Sequence, residues 1–289
     1  MRLVTLDSRE AGGRPALCLS SGEILDLAAS PSGLTAAQWR PQSVVSVLAE
    51  GEEGAARVGR LVAEFESAPE AQRQEWRRNG RLLPAAGTRL MPPIRRPGLL
   101  LMVTDAAGAC YVKNPNAAVG PEVAVAPPVP GTALFLLPML GAVVGRPLFR
   151  ATEVQASRAV AALTLVADLG AARLAAGAGT SVGGGQADAR QFPGACVIGP
   201  ALVTLDEFAG GNGWPVALRV NGRDMATAAP ARTLTDLTRS VAALSARYAF
   251  RPGDIVGLPV ANGEYELPPG SAVVLSLQRG LELRFTIGS

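Results

Sequence analysis

Ala133-Leu134-Phe135-Leu136-Leu137-Pro138-Met139-Leu140-Gly141-Ala142-Val143-Val144 is an unbroken apolar run. It suits a strand buried on both faces, because a strand with one wet face alternates apolar with polar residues. The run sits in a longer uncharged stretch, 123–145, whose hydropathy invites a membrane reading. Pro127, Pro128, Pro130 and Pro138 oppose it, since each removes a backbone donor that a lipid-spanning helix must satisfy internally. The stretch therefore reads as a proline-punctuated loop leading into a buried strand. Residues 99–103, 163–167 and 201–203 repeat the apolar pattern. Residues 216–220 alternate into the turn Asn221-Gly222, and 272–277 with 281–287 form a closing hairpin. Strands outnumber helices and do not alternate with them regularly, so the fold class is α+β with a β-rich core.

Upstream, residues 2–6, 16–19 and 24–27 read as short strands of a meander. Helices are expected over 34–49 and 53–67; in the second, Val58, Leu61, Val62 and Phe65 share a face. Residues 68–90 are polar and charged, as in a linker or surface segment. A small first domain, 1–90, then ends at the junction marked by Pro92-Pro93 and Pro97, and a larger one occupies 91–289. Two helices are expected in the larger part. One spans 152–163, capped by Thr152 with Glu153 in its first turn. The other opens at Thr233-x-x-Asp236, a capping-box variant, and carries Leu234, Leu237, Val241, Leu244 and Tyr248 at helical spacing up to Pro252-Gly253-Asp254.

The 289 residues are 48% hydrophobic, 18% charged and 4% aromatic, enough for one large core or one core plus a smaller domain. The net charge of +3 is mild. Arg73, Arg77 and Arg78, and Arg95 with Arg96, form no long run, and Trp76 is the lone aromatic near either group. No nucleic-acid partner is expected. Cys18, Cys110 and Cys196 are odd in number, far apart and without a C-x-x-C, which suits a reducing cytoplasm rather than disulfides or zinc. The first seven residues reach a charge too soon for a signal peptide. The chain has no histidine, so Cys110 and Cys196 lack the usual base for nucleophilic work. The glycine-rich patch at 177–185 lacks the G-x-x-x-x-G-K spacing of a phosphate cradle and reads as a mobile loop.

Several phrases in 91–289, in order, resemble the fumarylacetoacetate hydrolase family. Lys113-Asn114-Pro115-Asn116-Ala117-Ala118-Val119-Gly120-Pro121 is similar to a K-P-x-S-A-x-V-G-P segment. Leu137 to Gly145 stands where the family has E-x-E-L-A-x-V-I-G, and Ala167-Asp168-Leu169 where it has N-D-V. Ile198-Gly199-Pro200-Ala201-Leu202-Val203-Thr204-Leu205-Asp206-Glu207 nearly reproduces L-G-P-x-L-V-T-x-D-E. Val220-Asn221-Gly222, Pro252-Gly253-Asp254-Ile255 and the final hairpin follow, and residues 1–90 resemble a small β-rich domain found in many members.

The resemblance implies a mixed β-roll, a dimer, and a pocket where magnesium or calcium holds a diketo or 2-oxo acid for C–C hydrolysis, decarboxylation or isomerisation. Carboxylates suit such hard cations, and the cation polarises the substrate carbonyl. This chain departs from the pattern. The two strand glutamates are Leu137 and Met139. The third acidic ligand is retained as Asp168, the family lysine becomes Arg190, no histidine can serve as lid base, and a Gly-Thr-Pro phrase is Gly257-Leu258-Pro259. Asp168, Arg190 and Lys113 are the candidate site residues, with Leu137, Met139, Phe192 and Leu258 lining an apolar pocket; no metal or other cofactor is expected. The expected function is a binding or partner subunit, as a homodimer or beside an active paralogue, cytoplasmic, with a keto acid or apolar small molecule as ligand. A metal-independent enzyme acting on a keto acid or polyketide-like compound is the alternative. A third reading rewires the metal to Glu122, Glu153, Asp188, Glu264 or Glu266, of which Glu264-Tyr265-Glu266 has the right spacing but reads as a loop.

Overall fold

The uncharged run becomes β10 (Leu134–Val144), the spine of the larger of two sheets, with every residue but Phe135 buried. The computed structural model describes residues 1–8, 13–28, 41–104, 108–172, 188–208, 213–225, 233–277 and 280–289. Along one side β10 pairs antiparallel with β11 (Val160–Gly170), from Phe135↔Gly170 to Val144↔Val160. Along the other, β16 (Tyr265–Leu267) covers its start and β15 (Ile255–Pro259) covers Met139–Val143. Pro138 falls in the gap between those two partners, where a residue without an amide donor can sit in a central strand.

The larger sheet also holds β1 (Arg2–Leu6), β2 (Arg14–Cys18), β3 (Glu23–Asp26), β4 (Leu82–Pro84), β6 (Leu100–Val103), β7 (Cys110–Lys113) and β12 (Cys196–Thr204). Its order is β4-β3-β2-β1-β12-β11-β10-β15-β6-β7. Two short strands join it from the side: β5 (Leu90–Met91) on β1, and β8 (Ala118–Val119), parallel, on β12. The second sheet runs β14 (Arg223–Met225), β13 (Val216–Val220), β17 (Ala272–Leu277), β18 (Leu281–Ile287) and β9 (Ala124–Val125). Strand period 2 splits β10 between two cores. Leu136, Leu140, Ala142 and Val144 face one that includes Leu275, Leu283 and Phe285 of the second sheet. Leu137, Met139 and Val143 face another that includes Leu100, Met102, Val166 and, from α1 (Val44–Ala49), Val44 and Val47.

The β-rich α+β class is borne out, as are the N-terminal meander, the hairpins and the two capped helices. Thr152 caps α4 (Glu153–Ala159) and Thr233 caps α5 (Leu234–Ser245), each accepting from the backbone amide three residues on. Four local expectations change. The helix expected to reach 163 stops at Ala159, because Val160 already enters β11. The final helix ends before Tyr248. Of the helix expected over 34–49, α1 begins at Val44, and 34–40 lie outside the described residues, as does the 177–185 patch. Residues 68–90 are not a linker. They form α3 (Glu70–Arg78) and β4, and Trp76 stacks on Phe65 of α2 (Glu52–Ser67) at 5.8 Å. Their polar composition hides one deeply buried anchor. Residues 1–90 extend the larger sheet through Arg2↔Val203 and Leu3↔Leu202. No described helix is long and apolar enough to cross a membrane.

Trp76 is 5% exposed, so Trp76→Ala is expected to lower unfolding free energy by about 3–5 kcal/mol. Denaturant titration checks this, and a shift under about 0.5 kcal/mol, the surface-substitution range, would return the segment to a linker.

Candidate charged site

Alternation along β7 puts Tyr111 and Lys113 on one face and Val112, 46% exposed, on the other. Three strands separate β7 from β11 in the sheet order, yet the Lys113 ammonium lies 2.6 Å from the Asp168 carboxylate on β11. The sheet must curl to bring them together. The path after β7 fits that curl, since β8 returns to pair with β12 at Cys196↔Ala118. Asp168 in turn sits opposite Leu137 on β10 and Cys196 on β12. Leu137, Met139 and Asp168 therefore share one face of the sheet.

The carboxylate of Asp168 is fully engaged. Lys113 Nζ donates to Oδ1, while Tyr111 Oη at 2.6 Å and Arg190 Nε at 3.0 Å donate to Oδ2. Lys113 Nζ also donates to the Leu169 carbonyl at 3.2 Å, and Arg190 Nη2 to the Asp168 carbonyl at 2.8 Å. Arg190 Nη1 donates to Glu264 Oε1, just ahead of β16, and Arg190 Nε also reaches Tyr111 Oη at 3.1 Å. Gly170 makes room for this fork: a Cβ there would stand 2.4 Å from Arg190 Nη1. The side chains of Lys113, Asp168 and Arg190 have no solvent exposure, and Glu264 has 8%.

Two cations and two carboxylates share this volume, so their formal charges cancel. That balance matters, because a lone buried charge costs several kcal/mol while a paired, hydrogen-bonded one is tolerated. Burial pushes the Asp168 carboxyl up, but Lys113 and Arg190 together with the Lys113 and Tyr111 hydrogen bonds outweigh it, holding the group below the usual carboxylate range. Burial, then the Asp168 charge, raises the Tyr111 phenol well above its ordinary value, so it stays a donor. Arg190 is held charged: its burial is outweighed by Asp168 and Glu264. Burial pushes the Cys196 thiol up to about 12, which keeps it a neutral thiol at pH 7.

The three charged candidates, Asp168, Lys113 and Arg190, thus meet in one cluster. Leu137 and Met139 flank it from β10 and pack into the same apolar core. The Met139 and Met102 sulfurs close over Gly257, where a Cβ would lie 2.8 and 2.7 Å from them. Leu258 does not join them. It pairs with Leu140 and faces the opposite core, and the partly buried Phe192 also packs against that opposite core. The reason is strand parity: Leu258 is one residue from Gly257, which lies under Met139. Sequence reasoning missed Tyr111 and set Glu264 aside as a loop residue. The first stands two positions before Lys113 on one strand; the second begins an alternating Glu264-Tyr265-Glu266 that leads into a real strand. Among the described residues, no three His, Cys, Asp or Glu side chains stand close enough to share an ion, and Glu153 instead faces Arg239.

Residues 102–287 match the sequence profile described as fumarylacetoacetate (FAA) hydrolase C-terminal. Solved structures share the fold across essentially the whole chain. Maleylpyruvate hydrolase from Sphingobium sp. SYK-6 is 20% identical with a TM-score of 0.68, covering 100% of this chain and 99% of its own. Fumarylacetoacetate hydrolase from Exiguobacterium antarcticum is 18% identical with a TM-score of 0.69, covering 100% and 99%. The 5-carboxymethyl-2-hydroxymuconate delta-isomerase from Mycobacterium smegmatis is 19% identical with a TM-score of 0.67, covering 100% and 99%. No curated protein matches the chain by sequence.

Charge balance makes the cluster's energetics testable. Lys113→Met or Asp168→Leu alone strands a buried charge and is expected to cost about 3–5 kcal/mol. The double variant restores neutrality and should cost less than the two single losses added together; strict additivity in denaturant titrations would contradict the coupling. Because the folded-state Asp168 carboxyl titrates below its unfolded value, its contribution is complete above about pH 4 and is lost as pH falls through the folded value. Wild-type stability should therefore drop more steeply below about pH 4 than that of the double variant, as followed by denaturant midpoints across pH.

Proposed function

The chain belongs to the fumarylacetoacetate hydrolase family, and from that premise we propose that it is a member whose cation centre has been replaced by an internal salt-bridge cluster. On this reading it serves as a binding or partner subunit, a homodimer or a companion to an intact relative, and not as a magnesium-dependent C–C hydrolase. The observation that carries the proposal is the position of the Lys113 ammonium, 2.6 Å from Asp168 on the face that also holds Leu137 and Met139.

The donor set does not fit a hard divalent cation. Such ions take oxygen ligands, most of them carboxylate or carbonyl. Leu137 offers none and Met139 only a thioether, which suits softer metals. Both Asp168 oxygens already accept hydrogen bonds from Lys113, Tyr111 and Arg190. A divalent ion would add two positive charges to a volume that Lys113 and Arg190 already balance against Asp168 and Glu264. Arg190 cannot relieve that excess by giving up a proton near neutrality. A maleylpyruvate hydrolase of the same fold, in contrast, has been crystallised with manganese(II) and pyruvate.

Calorimetric titration with manganese tests the reading, with no saturable site expected in the wild type. A micromolar site abolished by Asp168→Asn would overturn it in favour of rewired ligands. Turnover of an acylpyruvate without added metal, lost in Arg190→Ala, would overturn it in favour of a metal-independent enzyme.

A further inference from the structure

A cleft of about 900 Å³ lies away from the charged cluster, and none of the cluster residues lines it. It opens between the 85–96 segment, the 115–124 segment, Pro200 in the middle of β12, and Glu282 and Arg284 of β18. Its size is that of a small-molecule pocket. The walls combine two chemistries. Met91, Pro92, Val119, Pro121, Val123 and Pro200 give apolar surface, while Arg89, Arg95, Arg96 and Arg284 bring four guanidiniums.

Two wall carboxylates oppose those four cations. Glu282 is already committed to an ion pair with Arg284, and the other is Glu122. Outside the wall, Asp7 pairs with Arg89 at 3.5 Å. Arg95 Nη1 donates to the Ser8 carbonyl at 2.8 Å, which orients its fork. Arg96 is exposed and forms no ion pair among the described residues. The wall thus presents four guanidiniums and two carboxylates beside apolar surface, with Arg96 exposed among them.

Its shape is built by tight local geometry. Gly120 stands against the 90–92 backbone, where a Cβ would lie 2.7 Å from the Met91 carbonyl carbon. Glu122 adopts a left-handed φ of 57°, a conformation side chains rarely take, while its amide donates to the Arg284 carbonyl at 2.6 Å. Strained backbone of this kind persists where surrounding structure holds it and clusters at ligand clamps.

We propose that this cleft is a binding site for a small carboxylate with an apolar body, such as an aryl or alkyl carboxylic acid. Guanidinium forks match the planar carboxylate, and the proline and methionine walls take the hydrocarbon. No wall residue belongs to α1–α5, and in the single 3₁₀ turn Pro115–Ala117 that reaches the wall the Asn116 amide already donates to Asn114 Oδ1, so no α-helix N-terminus of the kind that commonly cradles phosphate faces the cleft among the described residues. The inference stands apart from the reading of the charged cluster and does not depend on it.

Calorimetry on the full chain with 1-naphthoate, 1-naphthalenemethanol and inorganic phosphate tests it. Saturable binding of 1-naphthoate is expected, with at least tenfold weaker binding of the neutral alcohol and of phosphate. Arg96→Ala/Arg284→Ala should weaken 1-naphthoate at least tenfold, and Ala85→Trp, which fills the cleft from an exposed position, should abolish binding. Arg158→Ala, on α4 outside the cleft, should leave it unchanged. Thermal midpoints of all variants should match the wild type, because the substituted side chains lie at the surface. Absence of saturable 1-naphthoate binding would overturn the proposal, as would equal binding in the double variant, an equal loss in Arg158→Ala, or phosphate binding as tight as 1-naphthoate.

Discussion

The contact between the Lys113 ammonium and the Asp168 carboxylate organises this structure more than any other. It joins the edge strand β7 to the centre of the sheet across three intervening strands, so it helps fix the curl that makes the sheet a roll. A buried ion pair is weak evidence of stability taken alone, since desolvation offsets much of the attraction. Here the geometry compensates: Tyr111 and Arg190 complete the pairing of the carboxylate, and two backbone carbonyls accept further hydrogen bonds from Lys113 and Arg190. Arg190 and Glu264 then close the cluster with no net charge.

The flanking apolar core follows from the same arrangement. Leu137 and Met139 sit beside the cluster where a wetter site would place polar groups, and they pack with Met102, Val166 and Cys196. Removing water from around the four charges strengthens each interaction and raises the cost of leaving any partner unpaired. The cluster and the core are therefore coupled. An apolar surround demands complete pairing, and complete pairing lets charged side chains stay where the sheet excludes solvent.

Much of the fold was legible in the chain, because the strongest signals were local. An apolar run without charge had to be a doubly covered strand, and Thr152 and Thr233 announced their helices through capping chemistry. The segment 68–90 misled because one anchor, Trp76, decides its burial while the residues around it are polar. At Val160 a helix gives way to a strand without a breaker, which pattern alone cannot locate. Asp168, Lys113 and Arg190 could be picked out singly from phrases along 91–289. Their meeting could not, since it depends on curl and register between strands far apart in sequence. Tyr111 was within reach, two residues before Lys113. Glu264 was not, because its role needs the pairing of β16 with β10. Leu258 failed by a single step of strand parity.

The proposed replacement of a cation centre by side-chain charges is tested most directly in crystals soaked with manganese and measured at its absorption edge. The account predicts no anomalous peak within coordination distance of Asp168, with Lys113 Nζ still bonded to its carboxylate. A coordinated manganese bound by Asp168 and Glu264, with Lys113 displaced, would contradict it.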